Sequence, residues 1–509
     1  MKTTIILMFF LFGLNLHSQT YVLDSSFGNS GTMQYNNGLY HVKNGLLVNN
    51  NYYFISNTTI AKVDYSGQIV SAFGVNGYKT LQQTNETLNI SDFTFYNNYF
   101  YLYGSVKNNT TNNIDIYISK VDETGNYDTN FGANGILKLD FEPTDSITSF
   151  LIEPSGNLYC IGTKYNQNIT NSSRLVLFKI NSNGTLNTSF DTNGFKEINL
   201  NLYTSGASII FYNNTYMLLG TTTEFDGASN RRRIMISQVD INGNLDTSFG
   251  TNGFKVIPLE SFGIYYNTIN SVQLLNNKLY INMNQGGAML GDNDNKLLIY
   301  DLINDQIISS IGQNQFIYTK VDNDGAFMTS YCYTCCGNNY YACDNTFELR
   351  KKNLDGTTDS TFHINGTYSY EFSYTQPAPT IGDSRSYVFI KEPSGKFLIA
   401  GFVYNFFSTP GFSAIRITPG TLNLNSIVLN DNNSIFPNPF NDKIIFKNTT
   451  PLKNITIYDL IGRKVIEPPF QYENTSSNID LSNILEKGTY LIKITTEKNE
   501  IITKKIIKN

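Results

Sequence analysis

This sequence predicts an all-β repeat protein, and three observations carry that expectation. The chain of 509 residues holds 35 Tyr and 35 Phe but no Trp, and aromatic side chains favour the pleated, half-buried surface of a strand. Charged residues make up only 15%, unlike a coiled coil or a disordered chain. Finally, the phrase "LDTSFGTNGF" (Leu245 to Phe254) returns in near copies centred on Phe27, Phe73, Phe131, Phe190 and Phe362, with a decayed copy at Ile311. Self-similarity at about sixty residues marks an array of supersecondary units.

One unit shows what each contains. "ITSFLIE" from Ile147 alternates as a strand does, "PSGN" is a turn, and "LYCIGTKY" from Leu158 is a second strand. After a polar loop come "RLVLFKINS" from Arg174, the turn "NG", the motif "LNTSFDTNG", and a last strand "FKEINL" from Phe195. Four short antiparallel strands per repeat are the blade of a β-propeller, whereas the rungs of a β-solenoid are much shorter. Within the motif, Asp or Asn bonds its own backbone to start a turn, Phe is an apolar plug, and Gly permits positive φ where the chain reverses. The motif is a structural corner.

The ends of the array complete each other. "LDSSFGNSG" from Leu23 supplies only the back half of a unit, and "AIRITPGTLNLN" from Ala414 only the front half. The segment Thr32 to Tyr35 is therefore predicted to serve as the outer strand of the last blade, closing a ring and hiding its edges. Counting repeats around to Ser426 gives a seven-bladed β-propeller with four-stranded blades. The short interval after Ile311 predicts a fifth blade that lacks a regular fourth strand or shares one.

"QVDINGNLDTSFGTNG" from Gln238 resembles the delta-60 β-propeller repeat of secreted bacterial proteins, over roughly residues 20 to 425. The pattern departs at Asp191 and His363, where Gly is usual, and through most of the Ile311 copy. The resemblance implies a fold and extracytoplasmic placement but no single activity.

From Ser434 the character changes: 11 Lys and Arg face 8 acidic residues. Alternating strands such as Lys453 to Asp459 and Tyr490 to Thr495 predict a small Ig-like β-sandwich. Its phrases resemble the type A C-terminal sorting domain of the type IX secretion system of Bacteroidetes. The matching elements are "FPNP" (Phe436, Pro437, Asn438, Pro439), "IYDLIGRKV" with Asp459 and Gly462, "DLS", "KGTYLIKI" with Gly488 and Tyr490, and the lysine-bearing end with Lys504 and Lys505. The resemblance implies that the outer-membrane translocation machinery reads this domain. It further implies removal of the domain as cargo is released or attached to surface lipopolysaccharide.

At the other end, "MKTTIILMFFLFGLNLHSQT" sets one Lys before an apolar run too short to span a bilayer, the pattern of a secretory signal peptide cleaved after Ser18. The expected organisation is a signal peptide at 1–18, a propeller at 19–425, a linker at 426–433 and the sorting domain at 434–509. The expected destination is the outside of the cell or the outer-membrane surface, by way of the periplasm. Elsewhere no apolar stretch approaches membrane-spanning length.

A net charge of −5 offers no basic field for phosphates, so nucleic acid is not an expected partner. His41 and His363 lack a triad or HExxH context, and no catalytic residue and no resident metal is assigned. "GDNDNK" (Gly291 to Lys296) and "VDNDG" (Val321 to Gly325) carry calcium-type ligands without the twelve-residue loop, and read as turns. Cys332, Cys335, Cys336 and Cys343 cluster in "CYTCCGNNYYAC"; in an oxidising compartment they predict two disulfides, with three connectivities open. A zinc site fits the adjacent Cys335 and Cys336 poorly. Cys160, inside "LYCIG", reads as a buried free thiol.

The connections between second and third strands differ in every repeat: "SVKNNTTNNID", "TKYNQNITNSSR", "TTTEFDGASNRRR", "NQGGAMLGDNDNK", the Cys loop and "VYNFFSTPGFS". Alternating strand direction puts them on one face with the links between blades, the usual binding face of repeat proteins. Arg231, Arg232, Arg233, Tyr340, Tyr341, Tyr404, Phe406 and Phe407 are the candidates there for stacking on sugars or clamping acidic groups. The expected function is that of a monomeric binding or adhesion module for extracellular glycan or protein, without a cofactor. A polysaccharide-active propeller enzyme, glycosidase or lyase, is the alternative, and a purely structural surface protein the third reading.

Overall fold

The computed structural model describes residues 19–420 and 434–509, apart from short stretches of connecting loop, of which the longest are 258–263, 288–292, 331–345, 373–381 and 406–410. Among the described residues every regular element is a β-strand. The chain divides into two compact units, Met1–Gly420 and Thr421–Asn509.

The first unit is a succession of antiparallel sets, four-stranded over 44–80, 86–139, 144–198, 204–257, 264–312 and 316–371, and three-stranded over 382–419. The second and third sets are joined by a single parallel pair, Thr144 with Ile114. Strand periodicity explains how one sheet serves two neighbours, because successive side chains point to opposite faces. Tyr52 and Phe54 pack with Val388, Ala400 and Phe412 of the 382–419 sheet. Tyr53 and Ile55 pack instead with Ile90 and Phe100 of the 86–139 sheet. The same sharing links Ile116 to Phe178, Ile161 to Leu218, Leu219 to Ile281, Ile299 to Ala326, and Phe327 to Phe389. The last sheet thus packs on the first, and the succession closes on itself in a propeller-like arrangement.

Closure is made by the N-terminal segment. Thr32–Tyr35 is the outer strand on Gly411–Pro419, with Thr32 opposite Ile415 and Tyr35 opposite Phe412. Tyr21–Leu23 pairs with the same strand further along, Tyr21 opposite Pro419. The two incomplete ends of the repeat array therefore form one sheet.

The recurring phrase is a corner at each of its six Phe-centred copies. Asp128, Asn187, Asp246 and Asp359 accept the backbone N–H two residues on, at 2.9 to 3.1 Å. Phe27, Phe73, Phe131, Phe190 and Phe362 are buried. The following residue is left-handed throughout, with φ between 46° and 60°, including the two positions that are not glycine, Asp191 and His363. At Gly132 a Cβ would lie 2.3 Å from the Ile136 carbonyl oxygen, which explains why glycine is the usual occupant.

The expectation for the fifth repeat is corrected. Gln306–Gly312 is a full outer strand paired with Asn293–Asp301, and Ile311 lies within it. The missing corner turn is replaced by a longer strand, so the interval shortens without loss of a strand.

The second unit has two antiparallel sheets around one core. One contains Ser434–Phe436, Lys443–Lys447, Phe470–Glu473 and Ser476–Asp480; the other contains Leu452–Tyr458, Lys464–Ile466, Gly488–Thr496 and Ile501–Lys508. Ile444, Phe446, Ile455, Ile457, Ile479, Ile492, Ile494 and Ile506 fill the space between them.

Candidate functional sites

In the sheets 86–139 and 204–257 the described residues at the second-to-third-strand end lie beside the links between sheets. Asn109 N–H donates to the Asn85 carbonyl at 3.1 Å, Ile114 N–H to the Pro143 carbonyl at 3.0 Å, and Thr223 N–H to the Tyr203 carbonyl at 3.0 Å. The most extended described hairpin on this side joins Thr215–Phe225 to Asn230–Val239, and it carries the arginine run. Arg231 stands opposite Glu224, Arg232 opposite Thr223, and Arg233 opposite Thr222. Arg232 is exposed, while Arg231 and Arg233 are half-buried. Arg233 Nε lies 3.6 Å from a Glu224 carboxylate oxygen.

Of the other loop candidates, Tyr340, Tyr341, Phe406 and Phe407 lie outside the described residues, as do Cys332, Cys335, Cys336 and Cys343. Tyr404 pairs through its backbone with Asp383. Cys160 is buried and free, and burial pushes its thiol pKa up. The carboxylates of Asp322 and Asp324 both hold the Lys391 ammonium, so this acidic turn serves an inter-sheet ion pair. Among the described residues no cluster of three or more His, Cys, Asp or Glu is placed to hold a metal ion. No helix among them is long and apolar enough to cross a membrane.

Three arrangements were not legible in the sequence. The first is a buried clasp at ring closure, in which Arg416 is 1% exposed. Its Nε donates to Asp24 at 2.8 Å, and its Nη1 donates to the Tyr52 hydroxyl at 3.0 Å and the Tyr65 carbonyl at 2.5 Å. Tyr52 and Tyr65 in turn donate to Glu392, the latter at 2.6 Å. Burial opposes ionisation of Asp24, but hydrogen bonds from Lys396 and Ser26 and the Arg416 charge outweigh it and hold the carboxyl well below its usual range.

The second is a cleft of about 820 Å³ bounded by the outer strands Phe254–Ile257 and Gln306–Gly312. Lys255 Nζ lies 2.7 Å from Asp305 Oδ1 within it, and the Tyr300 hydroxyl donates to the same carboxylate. Glu224, the partner of Arg233, lines it from the arginine hairpin.

The third ties together both ends of the second unit. Asn438 Nδ2 donates to the Lys505 carbonyl at 2.8 Å, and its Oδ1 accepts the Ile507 N–H at 2.9 Å. Phe440 N–H donates to the Ile507 carbonyl at 2.8 Å and its carbonyl accepts the Asn509 N–H at 2.9 Å. Lys508 is buried, donating to the carbonyls of Leu481 and Ser482 at 2.9 and 3.1 Å. Residues 436–439 are all exposed, as is Lys505, while Lys504 is half-buried. Gly488 and Tyr490 open the strand that pairs with the C-terminal strand. Asp459 directly follows Leu452–Tyr458, and Gly462 lies outside the described residues.

No curated protein matches this chain. Among solved structures the chain is similar to Drosophila Semaphorin 2a, with a TM-score of 0.45 and 9% identity over 91% of this chain and 96% of that one. It is also similar to the Plexin A4 extracellular region, with a TM-score of 0.37 and 7% identity over 94% and 61% of the two chains. An exo-1,5-α-L-arabinanase from a bovine ruminal metagenomic library matches with a TM-score of 0.30 and 11% identity over 53% of this chain and 95% of that one. The secretion system C-terminal sorting domain family matches residues 434–509. The chain therefore ends in a type IX sorting domain, which marks it for export to the cell surface or the extracellular space.

Proposed function

We propose that the protein is a binding or adhesion module for extracellular glycan or protein: a seven-bladed propeller of the delta-60 repeat type, spanning 19–425, with a linker at 426–433. In this reading the leader at 1–18 directs it to the periplasm, and the Ig-like sorting domain passes it through the type IX machinery. The ring then acts as a monomer outside the cell, displayed or released. The observation that carries the reading is a contrast within the repeat. Corners keep one conformation from copy to copy, while the connections beside the inter-sheet links change in length and chemistry, as expected where a rigid scaffold presents recognition loops.

The arginine hairpin and the tyrosine- and phenylalanine-bearing connections supply the groups such recognition uses. Screening the full chain against glycan and extracellular-protein arrays tests the proposal. Binding that disappears when the connections 226–229 and 406–410 are exchanged for Gly-Ser loops is the expected result. Time-dependent shortening of a polysaccharide would replace the binding module with an enzyme.

A further inference from the structure

Most junctions between neighbouring sheets are plugged in one way. The apolar corner residue of one sheet seats against the turn glycine of the next: an added Cβ would come within 2.9 Å of the Phe27 ring at Gly67, 3.1 Å of Phe73 at Gly125, and 2.8 Å of Phe131 at Gly184. Gly243 meets Phe190 at 2.5 Å, and Gly356 meets Ile311 at 2.4 Å. The junction between the 204–257 and 264–312 sheets departs from this rule. Its corner residue, Phe249, is only half-buried and packs on the same cluster as Leu302, whose turn "LINDQ" has no glycine. The 820 Å³ cleft opens there.

The chemistry of this opening is specific. Its charges are balanced in place, Lys255 by Asp305 at 2.7 Å and Glu224 by Arg233 at 3.6 Å, so it presents strong hydrogen-bonding groups without a net field to attract an ion. Acceptors (Glu224, Asp305), a donor (Lys255) and a side chain that does both (Gln306) stand around apolar Ile307, which is 37% exposed. A sugar hydroxyl both donates and accepts, and a pyranose also has an apolar face. The volume falls in the range of roughly 300–1,000 Å³ used by ligand pockets.

We propose that this cleft binds a neutral oligosaccharide, an inference that rests on the chain being a binding module. The Lys255–Asp305 pair reads adjacent hydroxyls, and Ile307 carries the ring face. The test is titration of the full chain with neutral oligosaccharides, with a polyuronate as the charged comparison. Wild type is expected to bind the neutral ligand with little salt dependence and not to bind the polyuronate. Asp305→Asn, tolerable at the left-handed φ of 53°, and Gln306→Ala, on the exposed outer strand, are each expected to weaken binding about tenfold with an unchanged melting temperature.

Thr251→Trp, which fills the cleft, is expected to abolish it. Neutral-glycan binding that survives all three substitutions overturns the proposal. If that binding is instead lost on exchanging connection 226–229, the broader binding-module reading stands without this site. Absence of any neutral-glycan binding also overturns the proposal. Absence of every glycan and protein ligand on the arrays removes the broader reading as well.

Discussion

Arg416 donates to Asp24 at 2.8 Å across 392 positions of sequence. The same pair is local in other repeats, where Lys120 meets Asp128 and Lys351 meets Asp359, both at 2.7 Å. Each joins the basic residue of the third strand to the acidic residue of the corner phrase. At ring closure the two halves come from opposite ends of the unit, so one repeated contact becomes the clasp. Arg416 also lies 4.8 Å from the centroid of Phe27, which adds a cation–π contact where solvent is excluded.

Arg416→Ala should therefore be far more costly than a surface charge deletion. It leaves the buried Asp24 with Lys396, at 2.8 Å, as its remaining cation and strips Tyr52 and Tyr65 of the guanidinium they share, and breaking a buried pair typically costs about 3–5 kcal/mol. Arg416→Lys should recover only part of this, because one ammonium cannot reproduce the spread of bonds to Asp24, Tyr52, Tyr65 and Ser26. Denaturant unfolding of the three proteins checks the ranking. A cost below 1 kcal/mol for Arg416→Ala would show that the ring does not depend on the clasp.

The corners make a second, signed prediction. Gly132→Ala places a Cβ in a left-handed conformation 2.3 Å from the Ile136 carbonyl oxygen and should destabilise by more than about 1 kcal/mol. Asp191→Gly should do the reverse, by up to about 1 kcal/mol, because among the described residues Asp191 loses a 3.6 Å contact with Lys196. His363→Gly should gain less. His363 Nδ1 accepts the Tyr21 N–H at 3.1 Å, a bond glycine cannot make, whereas the backbone N–H of residue 363, which donates to the Gln19 carbonyl at 2.9 Å, is kept. Thermal melts of the three variants separate backbone strain from the role of His363 in holding the N-terminal strand.

These contrasts show what the sequence could and could not convey. Corners, strand order and the pairing of Thr32–Tyr35 with Gly411–Pro419 were readable because each rests on local periodicity or on two halves of one pattern. The partnership of Arg416 was not readable, since nothing in "AIRIT" announces a buried guanidinium. It becomes visible only when the third strands are aligned and Arg is found where Lys120 and Lys351 stand. Nor could the cleft be read, because it depends on two outer strands far apart in sequence, Phe254–Ile257 and Gln306–Gly312, coming together.

Asp145 gives a pH prediction. Its burial pushes the carboxyl pKa up to about 6 against the opposing bonds from the Glu142 and Phe141 N–H groups, and the charges of Asp140 and Asp115 add to the rise. A folded pKa above the unfolded value of roughly 3.9 favours the protonated form. Its contribution to stability is therefore full below that value and lost as pH rises through 6. Asp145→Asn, which keeps an acceptor for both N–H groups, should melt about 1–2 °C above wild type at pH 7 and lose that advantage near pH 4. A difference independent of pH would contradict the assignment.

Cys160 should resist chemistry that other cysteines accept. Its thiol is buried and its pKa raised, so the reactive thiolate is scarce and out of reach. An impermeant maleimide should leave it unlabelled in the folded protein and label it fully in denaturant. If Cys332, Cys335, Cys336 and Cys343 form two disulfides, one label per denatured, unreduced chain is expected and five after reduction.

Asn438 offers a test of how the sorting domain is built for recognition. Its amide bonds both the Lys505 carbonyl and the Ile507 N–H, and Phe440 continues the contact to Ile507 and Asn509. The exposed FPNP segment therefore covers the outer edge of the C-terminal strand, an edge that would otherwise be open to strand pairing. Asn438→Ala removes both side-chain bonds but leaves the core of Ile444, Ile457, Ile479 and Ile492 intact, so its cost in stability should be about 1–2 kcal/mol. Export should fall much more if the machinery reads the segment and the strand together. The check is the ratio of extracellular to periplasmic protein in a type IX-secreting host, with Lys505→Ala as a comparison that keeps the backbone contact. Normal export of Asn438→Ala alongside impaired export of Lys505→Ala would mean that the strand is read alone and the segment serves only to cover it.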